Sequence, residues 1–219
     1  MKACGITDVG LQRHENQDTF AVERGAADGQ LIAVVCDGMG GENCGQIASS
    51  LAVRAFLDEL HAVLRADMTT EQLREAVSFC VSKANAAVNR HAQEHTECHG
   101  MGTTLVSAVT NGSGAVICNV GDSRIYLQRG GALQRISRDH TKYQERLDAG
   151  AAAGDADDAD DSPDRHVLTQ YLGMLGARQR LMPYFAAGVP LAVGDRLLLC
   201  TDGLTGKLSD SRLQAVLGT

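Results

Sequence analysis

An α+β fold, with helices covering antiparallel β-sheet, is predicted by three observations. The middle of the chain, Gly102 to Ile136, is a run of short apolar strands broken by the tight turns Asn111-Gly112 and Gly130-Gly131, which reads as an antiparallel meander and not a βαβ repeat. Ahead of it lie two long amphipathic stretches, each with one apolar stripe that can cover a sheet. Finally, apolar strands end in an acid beside glycine at three places: Leu31–Cys36 before Asp37-Gly38, Ala115–Val120 before Gly121-Asp122, and Leu197–Cys200 before Asp202-Gly203. Three such strands can converge at one end of a sheet, and a carboxylate at the mouth of a buried strand is costly unless something positive meets it.

The totals bound the possibilities. The chain has 219 residues, read as a single domain over 1–219 with a substantial core. Hydrophobic residues make up 44% and charged residues 21%, as in ordinary globular proteins. A net charge of -7 argues against nucleic-acid binding through phosphate neutralisation. No apolar run approaches the ~20 residues of a membrane span. The start, MKACGITDVG, lacks the long apolar region of a signal peptide. Seven cysteines occur without a C-x-x-C pair, several inside apolar runs, so reduced buried thiols and a cytoplasmic location are expected.

Taken in order, residues 3 to 10 read as a first strand ending at Gly10. Arg13, Asn16 and Asp18 follow, either as a solvated loop or as an arginine fork for a phosphate with an acid beside it. Phe20 to Val22 is apolar, and Leu31 to Cys36 reads as a fully buried strand. In the turn after Asp37, glycines 38, 40 and 41 let the backbone approach a ligand closely. Its spacing fails the G-x-G-x-x-G pattern, and no Lys-Ser/Thr follows as in a Walker loop. Asp37 would repel a bare phosphate, whereas a hard divalent cation suits carboxylate and carbonyl oxygens. A satisfied turn aspartate is the alternative.

A helix is predicted from about Cys44 to Arg65, with Ile47, Leu51, Leu60 and Leu64 on one face. A second starts near Thr69, where Thr69 and Gln72 have capping-box spacing, and carries Leu73, Val77, Cys80, Ala84 and Val88 on one stripe. It ends in HAQEHTECHG, whose His91, His95, Cys98 and His99 are the ligand types of a zinc site but read better as an exposed helix end. Past the β-rich middle, RDHTKYQERLDAG predicts a short helix. The acidic stretch with Asp155, Asp157, Asp158, Asp160, Asp161 and Asp164 lacks EF-hand spacing and reads as a solvated loop. Order resumes at His166–Gly173, Arg180 to Ala187 reads as an edge strand, and Ser209 as the N-cap of a last helix.

The blocks GLQRHENQD, VVCDGMGG, GMGTTL, NVGDSRIYL, SRDHT, HVLTQYLG and LLLCTDGL resemble, in order and over nearly the whole chain, the bacterial branch of the PPM (type-2C) metal-dependent serine/threonine protein phosphatases. The resemblance implies a central sandwich of two antiparallel sheets flanked by helices (αββα), with a metal site at one edge. It implies two or three Mn²⁺ or Mg²⁺ ions: Asp37 bridging two, the Gly38 carbonyl on one, Asp202 on the second, and Asp122 with Asp202 at a third position. Asp18 would act through water, and Arg13 would clamp the substrate phosphate. Arg13, Asp37 and Asp202 are thus the implied catalytic residues.

The implied reaction is attack of metal-bound hydroxide on a phosphoserine or phosphothreonine of a protein, opposing a bacterial Ser/Thr kinase. Cys36 and Cys200 lack the following arginine that a cysteine-based phosphatase needs. Met39 stands where some relatives carry a histidine that could act as general acid, and a thioether cannot donate a proton. His14, His140 and His166 are candidates, each with a structural role as its alternative. Residues 143 to 165 fall at the family's variable flap, and their acids would favour basic flanks around the phosphoresidue. The family's further C-terminal helix and strand, with an Asp-Asn pair, have no counterpart before Thr219. That leaves a competing expectation: a catalytically weak relative serving as a phosphoprotein-binding module.

Overall fold

The computed structural model describes residues 1–25, 27–41, 43–112, 114–150, 162–174 and 180–218. The larger sheet takes strands β1 (Asp18–Arg24), β2 (Leu31–Met39), β4 (Leu105–Thr110), β5 (Gly114–Val120) and β8 (Tyr184–Pro190) in the order β1-β2-β4-β5-β8, with the short β3 (Gly102–Thr103) paired to the far end of β2. The smaller sheet has the order β7-β6-β9, from β6 (Arg124–Arg129), β7 (Ala132–Arg135) and β9 (Arg196–Cys200). Every pairing is antiparallel.

The period of two along each strand sorts side chains to the two faces of the larger sheet. Ile32, Val34 and Cys36 of β2, Leu105 and Val109 of β4, and Val116, Cys118 and Val120 of β5 join the core shared with the helices. Val35, Val106, Ala108, Ala115 and Ile117 face the other way, onto Ile125, Leu197 and Leu199 of the smaller sheet. The β2 stretch that reads as fully buried is therefore two-sided: its helix-facing residues are buried and its other face is half-buried.

Helix α1 (Cys44–Val63) and helix α2 (Thr70–Glu94) cover the larger sheet and pack on each other. The stripe of Leu73, Val77, Cys80, Ala84 and Val88 is wholly buried. The expected capping box is present, with Thr69 Oγ1 accepting from the Gln72 N–H (3.2 Å) and Gln72 Oε1 from the Thr69 N–H (2.9 Å). The outer face of the smaller sheet is covered by α5 (Asp210–Leu217), whose Leu213 packs with Tyr126 and Cys200. Its Ser209 cap is also as expected, accepting from the Arg212 N–H. Helices α3 (Lys142–Asp148) and α4 (Asp202–Thr205) are short. No helix among the described residues is long and apolar enough to cross a membrane.

Four expectations need correction. Residues 3–10 form no strand: Asp8 accepts from the Gly10 N–H (2.7 Å) to turn the chain, and the residues ahead find no ladder partner among the described strands. The continuous meander breaks at Gly121-Asp122, because β5 and β6 belong to different sheets and β6 pairs instead with the distant β9. The edge strand expected over Arg180–Ala187 runs from Tyr184 to Pro190. Cys44 and Cys98 are joined in a disulfide and are not free thiols, which also removes Cys98 as a zinc ligand. Of the acidic stretch, Asp164 accepts from Arg146 (2.8 Å), and Asp155, Asp157, Asp158, Asp160 and Asp161 lie outside the described residues.

Candidate active site

The strand ends deliver the acids to one end of the sandwich. Asp18 opens β1 and sits directly opposite Asp37 in the β1/β2 register. Asp202 opens α4, immediately after β9. Asp122 stands in the crossover from the larger sheet to the smaller, beside Gly121 at φ +100°, where an added Cβ would also meet the Thr104 methyl at 2.6 Å. Neighbouring charge reaches Asp37 from Asp18, Asp202 and Asp122, and reaches Asp122 from Asp202. Four of the expected ligand residues are thus brought together.

The cost of crowding these acids is visible in their proton affinity. Burial, then the Asp18, Asp202 and Asp122 charges, pushes Asp37 up to about 8. Burial, then Asp202 and Asp139, pushes Asp122 up to about 7. Burial also raises Asp18, against hydrogen bonds from Thr201 and Asp37 that hold it down. Asp37 and Asp122 therefore hold protons near neutrality unless a cation replaces them.

Polar neighbours fix the acids' positions. Thr104 grips Asp37 from both sides, donating its N–H to the Asp37 carbonyl (2.9 Å) and accepting the Asp37 N–H at Oγ1 (2.9 Å). The Thr104 hydroxyl also meets that of Ser123 (2.7 Å), tying β2 to the crossover that bears Asp122. Thr201 Oγ1 donates to Asp18 Oδ2 (2.8 Å). His140 clasps the crossover, its Nδ1 accepting from the Gly121 N–H (3.2 Å) and its own N–H donating to the Gly121 carbonyl (2.9 Å). Burial holds His140 below the usual histidine range, and its Nδ1, as an acceptor, carries no proton. Thr104 and Thr201 were not singled out from the sequence, although GMGTTL and LLLCTDGL contain them.

Arg13 is not drawn into this cluster: it stands exposed in the turn before β1, and no described acid pairs with it. Gly38 is held against the start of α1, where an added Cβ would fall 1.9 Å from the Gly45 carbonyl oxygen. In turn, a Cβ on Gly45 would come within 2.9 Å of the Gly38 carbonyl oxygen, so the glycine at 45 leaves that oxygen unshielded.

These donors fit a hard divalent cation. All are oxygens, which suit Mg²⁺ and Mn²⁺, and the Gly38–Gly45 approach keeps a carbonyl available beside the Asp37 carboxylate. Among the described residues, no three His, Cys, Asp or Glu side chains are drawn together tightly enough to hold one ion as they stand. Asp37 instead lies within hydrogen-bonding reach of Asp18 and Asp202.

A two-sheet sandwich with helices outside and a cluster of acids at the strand ends defines a class: hydrolases that work through oxygen-ligated metal ions. Residues 12–217 match the family model described as protein phosphatase 2C. The chain belongs to this family, in its bacterial branch, and is a serine/threonine protein phosphatase. It is 35% identical to the serine/threonine phosphatase stp of Listeria monocytogenes, over 96% of this chain and 81% of that protein. Among solved structures it resembles the S. agalactiae serine/threonine phosphatase, with TM-score 0.85 and 27% identity over 98% of this chain and 84% of that one. It also resembles the catalytic domain of the phosphatase PstP in complex with two manganese ions, with TM-score 0.73 and 30% identity over 96% of this chain and 81% of that one. The αββα expectation is met, and the family's members use metal ions.

Proposed function

We propose that this chain removes phosphate from phosphoserine and phosphothreonine in proteins, using two or three Mn²⁺ or Mg²⁺ ions held by Asp37, the Gly38 carbonyl, Asp122 and Asp202, with Asp18 acting through water. The observation that carries this reading is the convergence of four acids from separate elements, two of them held near neutrality by burial and by one another. Ions bound there would lower the pKa of a shared water and neutralise phosphate oxygens.

The chain's own residues supply position. Thr104 fixes the Asp37 backbone, Thr201 aims the Asp18 carboxylate, and His140 holds the crossover that presents Asp122. Arg13, exposed and unpaired among the described residues, is free to fork the substrate phosphate. The chemistry so supplied would be direct hydrolysis, in which one water is consumed and the serine or threonine hydroxyl and inorganic phosphate are released without a covalent enzyme intermediate. The whole of 1–219 serves as one catalytic domain, with the acidic segment near 143–165 as a substrate-selecting flap. The natural counterpart is a Ser/Thr kinase whose products this enzyme clears. Four buried free thiols, Cys36, Cys80, Cys118 and Cys200, support a cytoplasmic setting, in which the Cys44–Cys98 bond would be open to reduction.

The test is hydrolysis of a phosphothreonine peptide by this chain with and without Mn²⁺, beside Asp37→Ala. Turnover should require the metal and fall by more than the roughly 10–100-fold typical when only a ligand's supporting residue is lost. Mn²⁺ binding with no turnover by the parent would favour the binding-module alternative. Turnover undiminished in Asp37→Ala would defeat the site assignment.

A further inference from the structure

The chain has seven cysteines, of which five are free and two, Cys44 and Cys98, are bonded across 54 positions with their Cα atoms 5.4 Å apart. Their placement is pointed. Cys44 is the first residue of α1, and its N–H donates to the Gly41 carbonyl (3.2 Å) at the end of the turn that begins with Asp37-Gly38. Cys98 closes the short 3-10 turn Thr96–Cys98, and its carbonyl accepts from the Met101 N–H (3.0 Å). Met101 leads directly into β3, whose Thr103 and Gly102 pair with Gly38 and Met39. Thr103 Oγ1 also donates to the Asp37 carbonyl (2.8 Å). The bond therefore closes a covalent and hydrogen-bonded ring from Gly38 out to Cys44, across to Cys98, and back through Thr103 to Gly38.

We propose that Cys44 and Cys98 are a redox modification site that sets how tightly the neighbouring acid cluster takes its divalent cation; this rests on the metal-site reading above. With the bond intact, the turn 38–44 is fastened at both ends, and the Gly38 carbonyl stays beside Gly45 next to Asp37. Without it, a turn containing Gly38, Gly40 and Gly41 is held at its far end by noncovalent contacts alone, and glycine-rich backbone has the most freedom to recover. The remaining buried thiols do not compete. Cys36, Cys80, Cys118 and Cys200 are all buried as free thiols, away from an oxidant or reductant in solution. The bonded sulfurs are buried, but Asn43, Glu97 and His99 beside them are exposed, so the site lies just beneath the surface.

The chemistry is thiol–disulfide exchange. A thiolate of a dithiol reductant attacks one sulfur of the bond, and the other protein sulfur leaves as thiolate. The second reductant thiol then displaces the attached protein sulfur. The protein gains two electrons and two protons as two thiols, and the reductant departs as its cyclic disulfide. Glutathione disulfide reverses this, leaving as two molecules of glutathione.

The experiment uses the full chain carrying Cys4→Ser, which removes the one exposed free thiol. One sample is oxidised with glutathione disulfide, and another is reduced with a dithiol and then freed of it without air. Alkylation in denaturant followed by mass spectrometry should find only the four buried thiols in the first, with Cys44 and Cys98 joining them in the second. Titration calorimetry with Mn²⁺ alone should give a dissociation constant about fivefold or more weaker in the reduced sample, the lower end of ordinary coupling between sites. Cys44→Ser with Cys98→Ser should bind weakly whatever the redox treatment. Failure of the bond to form, or equal Mn²⁺ affinity in the two samples, overturns the proposal. Asp37→Asn should lose Mn²⁺ in both states. If the parent binds no Mn²⁺ in either state, the metal-site reading falls and takes the proposal with it, whereas equal binding sinks the proposal alone.

Discussion

The two faces of the larger sheet are filled very differently. On the helix side, Ile32, Val34, Ala48, Phe56, Leu60, Val77 and Val88 are fully buried and form one continuous core. On the other side, toward the smaller sheet, a cleft of about 890 Å³ opens between the start of the chain, β1 and β9, and Val35, Leu197 and Leu199 are only half-buried around it. The edge strand β9 borders this cleft and leads straight into Asp202. The contrast places the molecule's stability in the helix layer and its chemistry at a looser seam. Proteins often draw working elements from their less stable parts.

The largest effect that could break this comparison is core truncation on each side. Phe56→Ala, in the helix layer, should cost about 3–5 kcal/mol in urea unfolding. Leu197→Ala, beside the cleft, should cost about 1 kcal/mol, because its side chain is already partly hydrated in the folded state. Comparable losses at the two positions would mean that the seam is as tightly held as the helix layer.

A smaller but more particular effect is the pH dependence of the metal-free protein. Asp37 and Asp122 release their protons near pH 8 and 7 when folded, but in the ordinary carboxylate range when unfolded. Between about pH 4 and 8 the folded state therefore binds more protons, and stability should fall as pH rises. The contribution is complete below the unfolded range and gone above about pH 8. Melting curves at steps across that window, with and without Mn²⁺, check the sign. Added Mn²⁺ should raise the melting temperature most at the alkaline end, where no proton competes for the carboxylates. A metal-free protein that became more stable over the same window would show that the acids are not crowded as described.

How much was legible in the sequence follows the range of the forces involved. The helices, their stripes and both caps are set by residues three and four apart, and the Thr69, Gln72 and Ser209 signals held. The strand ends carrying Asp37, Asp122 and Asp202 were equally local, and the blocks that carry them matched a known family. What sequence could not fix was long-range. Gly121 and Asp122 look like one more hairpin turn, yet β6 leaves β5 to pair with β9, some seventy residues on, and the same turn becomes the bridge between sheets. The Cys44–Cys98 bond likewise depends on the packing of α1 against the end of α2. Thr104 and Thr201 act through backbone and carboxylate contacts that no spacing announces.

The smallest effect probes the two helix layers through their caps. Thr69 closes a reciprocal box on α2, a helix of 25 residues whose stripe is fully buried, whereas Ser209 caps α5, which has 8 residues and buries only Leu213. Thr69→Ala and Ser209→Ala each remove one acceptor from a helix start, a change worth about 1 kcal/mol in general. The Thr69 loss should appear undiminished in global unfolding, because α2 cannot detach without exposing the main core. The Ser209 loss should be smaller in global unfolding and should surface instead as faster amide exchange along α5, since a short outer helix can fray while the sandwich stays intact. If Ser209→Ala lowered global stability as much as Thr69→Ala, the outer helix would be cooperative with the main core, and the loose seam would not insulate one layer from the other.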